Sequence, residues 1–285
     1  MKILVTGAKG QLGSELQLLS GQFPQHNFLF TDIDTLDITD SRMIHSFFSS
    51  EKPEAVINCA AYTAVDKAEQ EPEKAMLINA TATGNLAAAC EKFGSILVHI
   101  SSDYIFDGKG YRPYVETDPA NPLSMYAKTK WAAEEEIKKK SRKAIIIRTS
   151  WLYSSFGGNF VKTMMKYGKE RGKLNVVFDQ VGTPTYARDL ANAILYILPA
   201  KDFDNCVEIY HYSNEGVICW YDFAKAIIEL SGISCIINPI ETKDYPLPAA
   251  RPFYSVLNKA KIKQRFNLEI PFWRDSLAEC IRLLN

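Results

Sequence analysis

Lys2-Ile3-Leu4-Val5-Thr6-Gly7-Ala8-Lys9-Gly10-Gln11-Leu12-Gly13 reads as a short apolar strand that turns through a G-x-x-G-x-x-G loop into a helix. Placement gives the glycines their meaning. A pyrophosphate can rest on a helix N-terminus only where the backbone approaches it without Cβ atoms in the way, which a glycine-rich strand-to-helix turn allows. Asp32 closes the next strand candidate, 32 minus 13 or 19 residues beyond Gly13, near the ~20 expected for an acid that binds a ribose hydroxyl. Gly7, Lys9, Gly10, Gln11, Leu12, Gly13 and Asp32 are therefore the candidate dinucleotide-binding residues.

Outward from this loop the chain keeps the same rhythm. Strand candidates at 2–6, 27–31, 55–58, 95–101 and 144–150 alternate with helical stretches at 11–20, 41–50, 72–92 and 124–140, the pattern of a parallel sheet with crossover helices. Continuous runs such as Ile96-Leu97-Val98 and Ile145-Ile146-Ile147 suit strands covered on both faces. Beyond residue 150 the rhythm loosens into strands at 175–178 and 207–212 and helices at 159–170, 189–198, 221–231 and 273–284. Proline-bearing loops at Pro184, Pro199, Pro239 and Pro246-Leu247-Pro248 separate them. The expected fold is α/β: a Rossmann-type doubly wound parallel sheet with a smaller, mainly C-terminal substrate lobe. Residues 1–150 would form the dinucleotide-binding domain, rejoined by a strand near 207–213, and 151–285 mainly the substrate-binding lobe.

Composition narrows the function classes. The chain has 285 residues, 47% of them hydrophobic, and 33 basic against 33 acidic residues, so no net positive field gathers nucleic acid or anionic lipid. No apolar run approaches the ~18 residues of a membrane span, and Met1-Lys2 leads straight into a strand without a signal-peptide pattern; a cytoplasmic location is expected, with no membrane or nucleic-acid partner. Cys59, Cys90, Cys206, Cys219, Cys235 and Cys280 are scattered without a C-x-x-C and read as reduced core residues. The four histidines lack metal-ligand spacing, and no metal site is expected.

Carbonyl chemistry needs a second set of groups. Tyr126-Ala-Lys-Thr-Lys130 places a phenol and an ammonium at i and i+4 on one helix face. The same spacing recurs at Tyr221 and Lys225, inside an amphipathic helix with no polar strand end before it, where packing explains it. Tyr126 instead follows the fourth strand, whose polar end is Ser101-Ser102-Asp103, and open α/β sheets bind ligands beyond the carboxyl ends of their strands. An ammonium beside a phenol favours the phenolate, so Lys130 is expected to lower the pKa of Tyr126. Ser102 can hydrogen-bond a substrate oxygen as charge develops on it, or simply cap its strand end.

Taken together, residues 6–13, Asn58-Cys-Ala-Ala-Tyr-Thr-Ala-Val-Asp66, Ser101-Ser-Asp-Tyr-Ile-Phe-Asp107, Tyr126–130 and Arg148-Thr-Ser-Trp151 resemble the extended short-chain dehydrogenase/reductase family. The likeness spans essentially the whole chain, including Phe178-Asp-Gln-Val-Gly-Thr-Pro-Thr185 and Arg251-Pro-Phe-Tyr-Ser-Val-Leu257. It implies reduction of the 4-keto group of a dTDP-sugar, dTDP-4-dehydro-L-rhamnose, to dTDP-L-rhamnose, with Tyr126 as proton donor, Lys130 as its activator and ribose ligand, and Ser102 in place of a threonine common there. It also implies Ala60, Ala61 and Thr63 beside a nicotinamide, Asp37 and Ile38 at the adenine, and Asp103, Tyr104, Trp151 and Asn159 on the sugar. Arg251 is implied near the phosphates, unless it clamps the lobes. Lys9 favours NADPH and Asp32 keeps NADH usable. Some relatives dimerise through magnesium on clustered glutamates; Glu15 is a matching acid, but Arg188 stands where another acid is expected, which speaks against the metal while a homodimer stays open. The rival readings are a nucleotide-sugar 4-epimerase or 4,6-dehydratase, and a non-enzymatic NADP-binding regulatory subunit.

Overall fold

Strands β1 (Lys2–Thr6), β2 (Asn27–Thr31), β3 (Ala55–Asn58), β4 (Ile96–Ser102) and β5 (Ala144–Thr149) join a sixth, Val207–His211, in one parallel sheet. Its order is β2-β1-β3-β4-β5 and then Val207–His211. A computed structural model describes residues 1–199 and 206–284.

Successive strand side chains face opposite ways, and here both directions are covered. Ile3, Val5, Ile57, Val98 and Ile147 enter one core with Leu12 and Leu16 of helix α1 (Gln11–Leu19) and Leu190 and Ile194 of helix Ala187–Ile197. Leu4, Val56, Leu97 and Ile146 enter the other, with Ile44 and Phe48 of α2 (Ser41–Glu51), Leu86 of helix Ala82–Phe93 and Ile137 of helix Met125–Lys140. Each of these large apolar side chains, once fully buried, stabilises the fold by roughly 1.5–3 kcal/mol. The chain steps outward from β1 to β2 and returns to lay β3 on the other side of β1. That reversal opens a crevice beyond the carboxyl ends of β1 and β3.

The helix expected over 72–92 is interrupted. Pro72–Met76 runs into a π-helical turn, Leu77–Thr81, before Ala82–Phe93 resumes. Such a turn inserts a residue and re-aims its neighbours; here Asn79 is buried and grips Tyr62 through its N–H (2.7 Å) and carbonyl (3.1 Å) and Thr129 Oγ1 at 2.9 Å. The crevice loop after β3 is thereby tied to helix Met125–Lys140.

A third core gathers Tyr153 of the short strand Leu152–Tyr153 with Met164, Leu174, Phe223, Ile227 and Leu277, from helices Phe160–Arg171, Trp220–Leu230 and Trp273–Arg282 and a parallel pair of strands, Lys173–Val177 and Ile236–Ile240. The second strand corrects the loop expected around Pro239. A proline cannot donate to a ladder, but a two-stranded ribbon consists only of edges and leaves that position free. Residues past 150 divide between the cores: Ala187–Ile197, Tyr210, Tyr212, Ile262 and Ile270 pack on the sheet. No helix among the described residues is long and apolar enough to cross a membrane.

Candidate active site

Gly7 makes the turn out of β1 with φ +65°, and a Cβ there would lie 2.6 Å from the backbone nitrogen of Ala60, so glycine is required by both conformation and space. At Gly13 a Cβ would lie 2.6 Å from Ala8 Cα, which is how α1 comes close to the loop. No side chain caps α1 and no carboxylate stands in its first turn. Its N-terminal N–H groups are left for an anion, and Gly10, Gln11, Leu12 and Gly13 line a cavity of about 550 Å³. The cradle fits a pyrophosphate.

At the far side of the loop, Asp32 accepts from the backbone N–H of Lys9 and of Ile33, both at 2.9 Å. The Lys9 ammonium meets exposed Asp34 at 2.8 Å, a solvated pair that binds the lysine only weakly. Asp37 and Ile38 are not brought to the cavity. Ile38 is buried beside Leu36 and Ile44, and the Asp37 carboxylate closes a local turn on the N–H and hydroxyl of Thr39.

Ser102, Tyr126 and Lys130 converge on the cavity, with Ala61 and Thr63 from the loop after β3; Ala60 stands behind them against Gly7. Helix Met125–Lys140 is capped by Ser124, whose hydroxyl accepts from Ala127 N–H at 3.3 Å, and its first two turns carry Tyr126 and Lys130. Ser102 is both cap and candidate donor: its Oγ accepts from Tyr104 N–H at 3.1 Å and donates to Asp103 Oδ1 at 3.0 Å. The Tyr104 ring meets Tyr126 edge to face, centroids 5.9 Å apart.

The charge states differ from expectation. Burial pushes the Tyr126 phenol up to about 12, against the opposing hydrogen bond of Ser102. Lys130 does not lower it, because its Nζ donates to the Ile100 carbonyl at 2.5 Å and burial draws the ammonium itself down to about 8, against the pull of Glu134 and Cys59. Tyr126 thus holds its proton at neutral pH. Burial likewise raises the Asp103 carboxyl to about 7, opposed by the hydroxyls of Ser255 and Ser102.

Asp103 makes a testable signature. A carboxyl raised from 3.8 to about 7 keeps in the folded chain a proton that the unfolded chain has lost, so its stabilisation is complete below the unfolded value and fades as pH rises through the folded one. The thermal midpoint of the wild type should fall relative to that of Asp103→Asn as pH is raised from about 5 to 8. A gap independent of pH would mean that Asp103 ionises normally.

At the other end, Trp151 holds φ +47°, strained for a bulky residue. Its indole lies flat on Trp220, centroids 3.7 Å apart and planes at 14°. On another side it lies so close to Gly182 that a Cβ there would come within 2.8 Å of the ring. Trp220 is a cavity wall that sequence reasoning missed, since it sits at the start of a helix read as packing; Tyr221 and Lys225 of that helix are half-buried and exposed and do not line the cavity. Asn159 caps helix Phe160–Arg171 and donates to Gln11 Oε1 at 2.9 Å, locking the second lobe to the glycine loop. Arg251 does not itself line the cavity; it lies beside the Tyr104 hydroxyl and donates to both oxygens of Asp66 at 2.6 and 2.7 Å, a clamp between the short helix Val65–Ala68 and the C-terminal segment.

A magnesium ion held by Glu15 does not fit here. Glu15 is fully buried; one oxygen accepts from Ser154 Oγ at 2.6 Å and the other from Arg188 Nε at 2.9 Å, while Arg188 Nη1 reaches Glu279 at 3.1 Å. A guanidinium occupies the place between these carboxylates. The six cysteines are free; Cys90, Cys219 and Cys280 are buried as core residues, whereas Cys59, Cys206 and Cys235 are only part-buried, and Cys59 lines the cavity.

A glycine cradle at the switch point of a parallel sheet, with a Tyr-x-x-x-Lys helix beside the end of β4, is the arrangement expected of the extended short-chain dehydrogenases/reductases. The family model described as RmlD substrate binding domain matches residues 1–285. A dTDP-4-dehydrorhamnose reductase from Clostridium acetobutylicum superimposes with a TM-score of 0.94 at 44% identity, covering 100% of this chain and 99% of that one. A second, from Bacillus anthracis in complex with NADP, gives 0.93 at 36%, covering 99% and 98%. The spore coat polysaccharide biosynthesis protein SpsK of Bacillus subtilis is 41% identical over 281 residues, 99% of this chain and 97% of that protein. The chain belongs to the dTDP-4-dehydrorhamnose reductase family.

Proposed function

We propose that this protein reduces the 4-keto group of dTDP-4-dehydro-L-rhamnose to give dTDP-L-rhamnose, with NADPH preferred and NADH usable. The observation that carries the reading is the convergence of Ser102, Tyr126 and Lys130 in one cavity with an uncapped glycine cradle. Residues 1–150, rejoined by Val207–His211, hold the cofactor, and most of 151–285 forms the sugar side. Relatives of matching length bear the reductase name, and one is in complex with NADP. The reading includes a cytoplasmic location and no nucleic-acid partner; light scattering decides between a monomer and the homodimer that the sequence leaves open.

When bound, a reduced nicotinamide supplies the hydride. Ser102, turning its one O–H from Asp103 Oδ1 to the sugar 4-oxygen, donates a hydrogen bond there and orients the carbonyl. Tyr126, protonated at neutral pH, delivers its proton to that oxygen as negative charge develops there. The Lys130 ammonium, held on the Ile100 carbonyl at the cavity wall, is the group placed to hold the nicotinamide ribose. Asp103, Tyr104, Trp151 and Asn159 face the sugar, and Trp151 is held there by Trp220.

Product NMR after incubation with dTDP-4-dehydro-L-rhamnose and NADPH tests the reading: stoichiometric oxidation of the cofactor with a new 4-hydroxyl supports it. An epimerase or dehydratase would consume no net reductant, and a binding subunit would bind NADPH without turning over. The cofactor choice has its own test. Lys9 is free to leave exposed Asp34 for a 2′-phosphate, so Lys9→Ala should raise KM for NADPH about tenfold, the loss of one charge-assisted contact, and leave KM for NADH nearly unchanged. Equal effects on both would remove Lys9 from cofactor selection.

A further inference from the structure

Glu134 lies one helical turn past Lys130 and two past Tyr126 on helix Met125–Lys140, and it is fully buried. Three donors hold its carboxylate: Ser101 Oγ at 2.6 Å, Arg148 Nε at 3.0 Å and Arg148 Nη2 at 2.7 Å. Ser101 immediately precedes Ser102 on β4, and Arg148 is its direct partner on β5. Arg148 is fixed in turn by the Glu116 carbonyl at 3.2 Å and by the ring of Phe106, 5.4 Å from the guanidinium carbon.

Stability alone is a poor reason for this arrangement, because a buried ion pair can often be replaced by apolar side chains without loss, and Ala133 and Ile137 already anchor the helix. Its neighbours supply a better one. Among the described residues Lys130 forms no ion pair; its Nζ has the Ile100 carbonyl. From just past β3 it faces Cys59, whose thiol burial raises far above neutrality; from β4 it faces His99, held neutral by burial. From its own helix it faces Tyr126, which keeps its proton. Asp103 acts on Tyr126 instead. Glu134 is the anion that supports the ammonium, with the Arg148 cation on its far side.

We propose that Glu134 is the positioning residue of the catalytic pair: through Ser101 and Arg148 it keeps the helix of Tyr126 and Lys130 in register with Ser102, and its charge keeps Lys130 protonated. The inference rests on the proposed roles of Tyr126 and Lys130.

The test compares Glu134→Gln with the apolar double variant Glu134→Leu/Arg148→Met. In the full-length protein, kcat against pH, the NADPH dissociation constant against pH, and the NMR titration of the Lys130 side chain are measured. Expected for both variants are a kcat at least about tenfold lower and a Lys130 titration moved down by about one unit or more, with the alkaline limb of NADPH binding moving by the same amount. The double variant should keep a near-native thermal midpoint, which separates charge from packing. Wild-type kcat and Lys130 titration in a folded double variant would overturn the proposal. If neither variant folds, Ser101→Ala decides: it removes one anchor but no charge, so kcat should fall while the titration stays, and an unchanged kcat would sink the registering role. Normal turnover by Tyr126→Phe would defeat the catalytic-pair reading, whereas the Lys130 titration would still decide what Glu134 does.

Discussion

Tyr126→Phe is expected to lower kcat by roughly 10²–10⁴-fold, the range for loss of a positioned proton donor, while the fold and the affinity for NADPH persist. The separation follows from the geometry. The ring packs edge-on against Tyr104 and phenylalanine keeps that contact, so what disappears is a hydroxyl at the cavity wall that holds its proton at neutral pH. Lys130→Met should lower kcat as well but also weaken NADPH, because the ammonium stands at the cavity wall and its loss leaves the Ile100 carbonyl without its donor. Tyr221→Phe and Lys225→Met are the internal control. They share the spacing but lie in the second lobe away from the cavity, with Lys225 exposed, and should turn over normally per folded molecule. Wild-type turnover by Tyr126→Phe, or loss of chemistry in folded Tyr221→Phe, would show that the wrong pair has been chosen.

Gly7→Ala should damage both the fold and the cofactor site. The residue needs φ +65°, and the new Cβ would sit 2.6 Å from Ala60 N and 2.7 Å from Ala60 Cα, backbone atoms that cannot swing aside. Left-handed strain of about 1–2 kcal/mol and overpacking of about 1–3 kcal/mol together predict a loss of about 2–5 kcal/mol. At a few degrees per kcal/mol in a chain of this size, that is a fall of roughly 10 °C in Tm. Because the strain would spread the ends of β1 and β3, the folded fraction should bind NADPH at least about tenfold more weakly. Gly94→Ala supplies the contrast: its φ is +76° but nothing lies within 4 Å of the added Cβ, so it carries the strain alone and leaves the cofactor untouched. Equal losses for the two glycines would mean that the loop is not wedged against β3.

Much of this molecule was legible in its residues. A parallel sheet covered on both faces writes its strands as apolar runs, so β1 to β5 stand where those runs predict, and Val207–His211 returns to the sheet as expected. The glycine loop was readable for a related reason: only a turn with positive φ and a backbone neighbour at 2.6 Å needs glycine there. Ser102, Tyr126 and Lys130 were readable because topology places the end of β4 beside the start of the next helix. What stayed hidden depends on partners distant in sequence. Trp220 becomes a cavity wall beside Trp151, Pro239 enters a strand because Lys173–Val177 offers an edge, and the π-helical turn at Leu77–Thr81 carries an Asn79 whose partners, Tyr62 and Thr129, lie far along the chain. The sign of the Tyr126 shift was misjudged for the same reason. Spacing along a helix says that Lys130 is near, but burial and the direction of its Nζ decide what the ammonium does, and those are set by strands the local sequence does not contain.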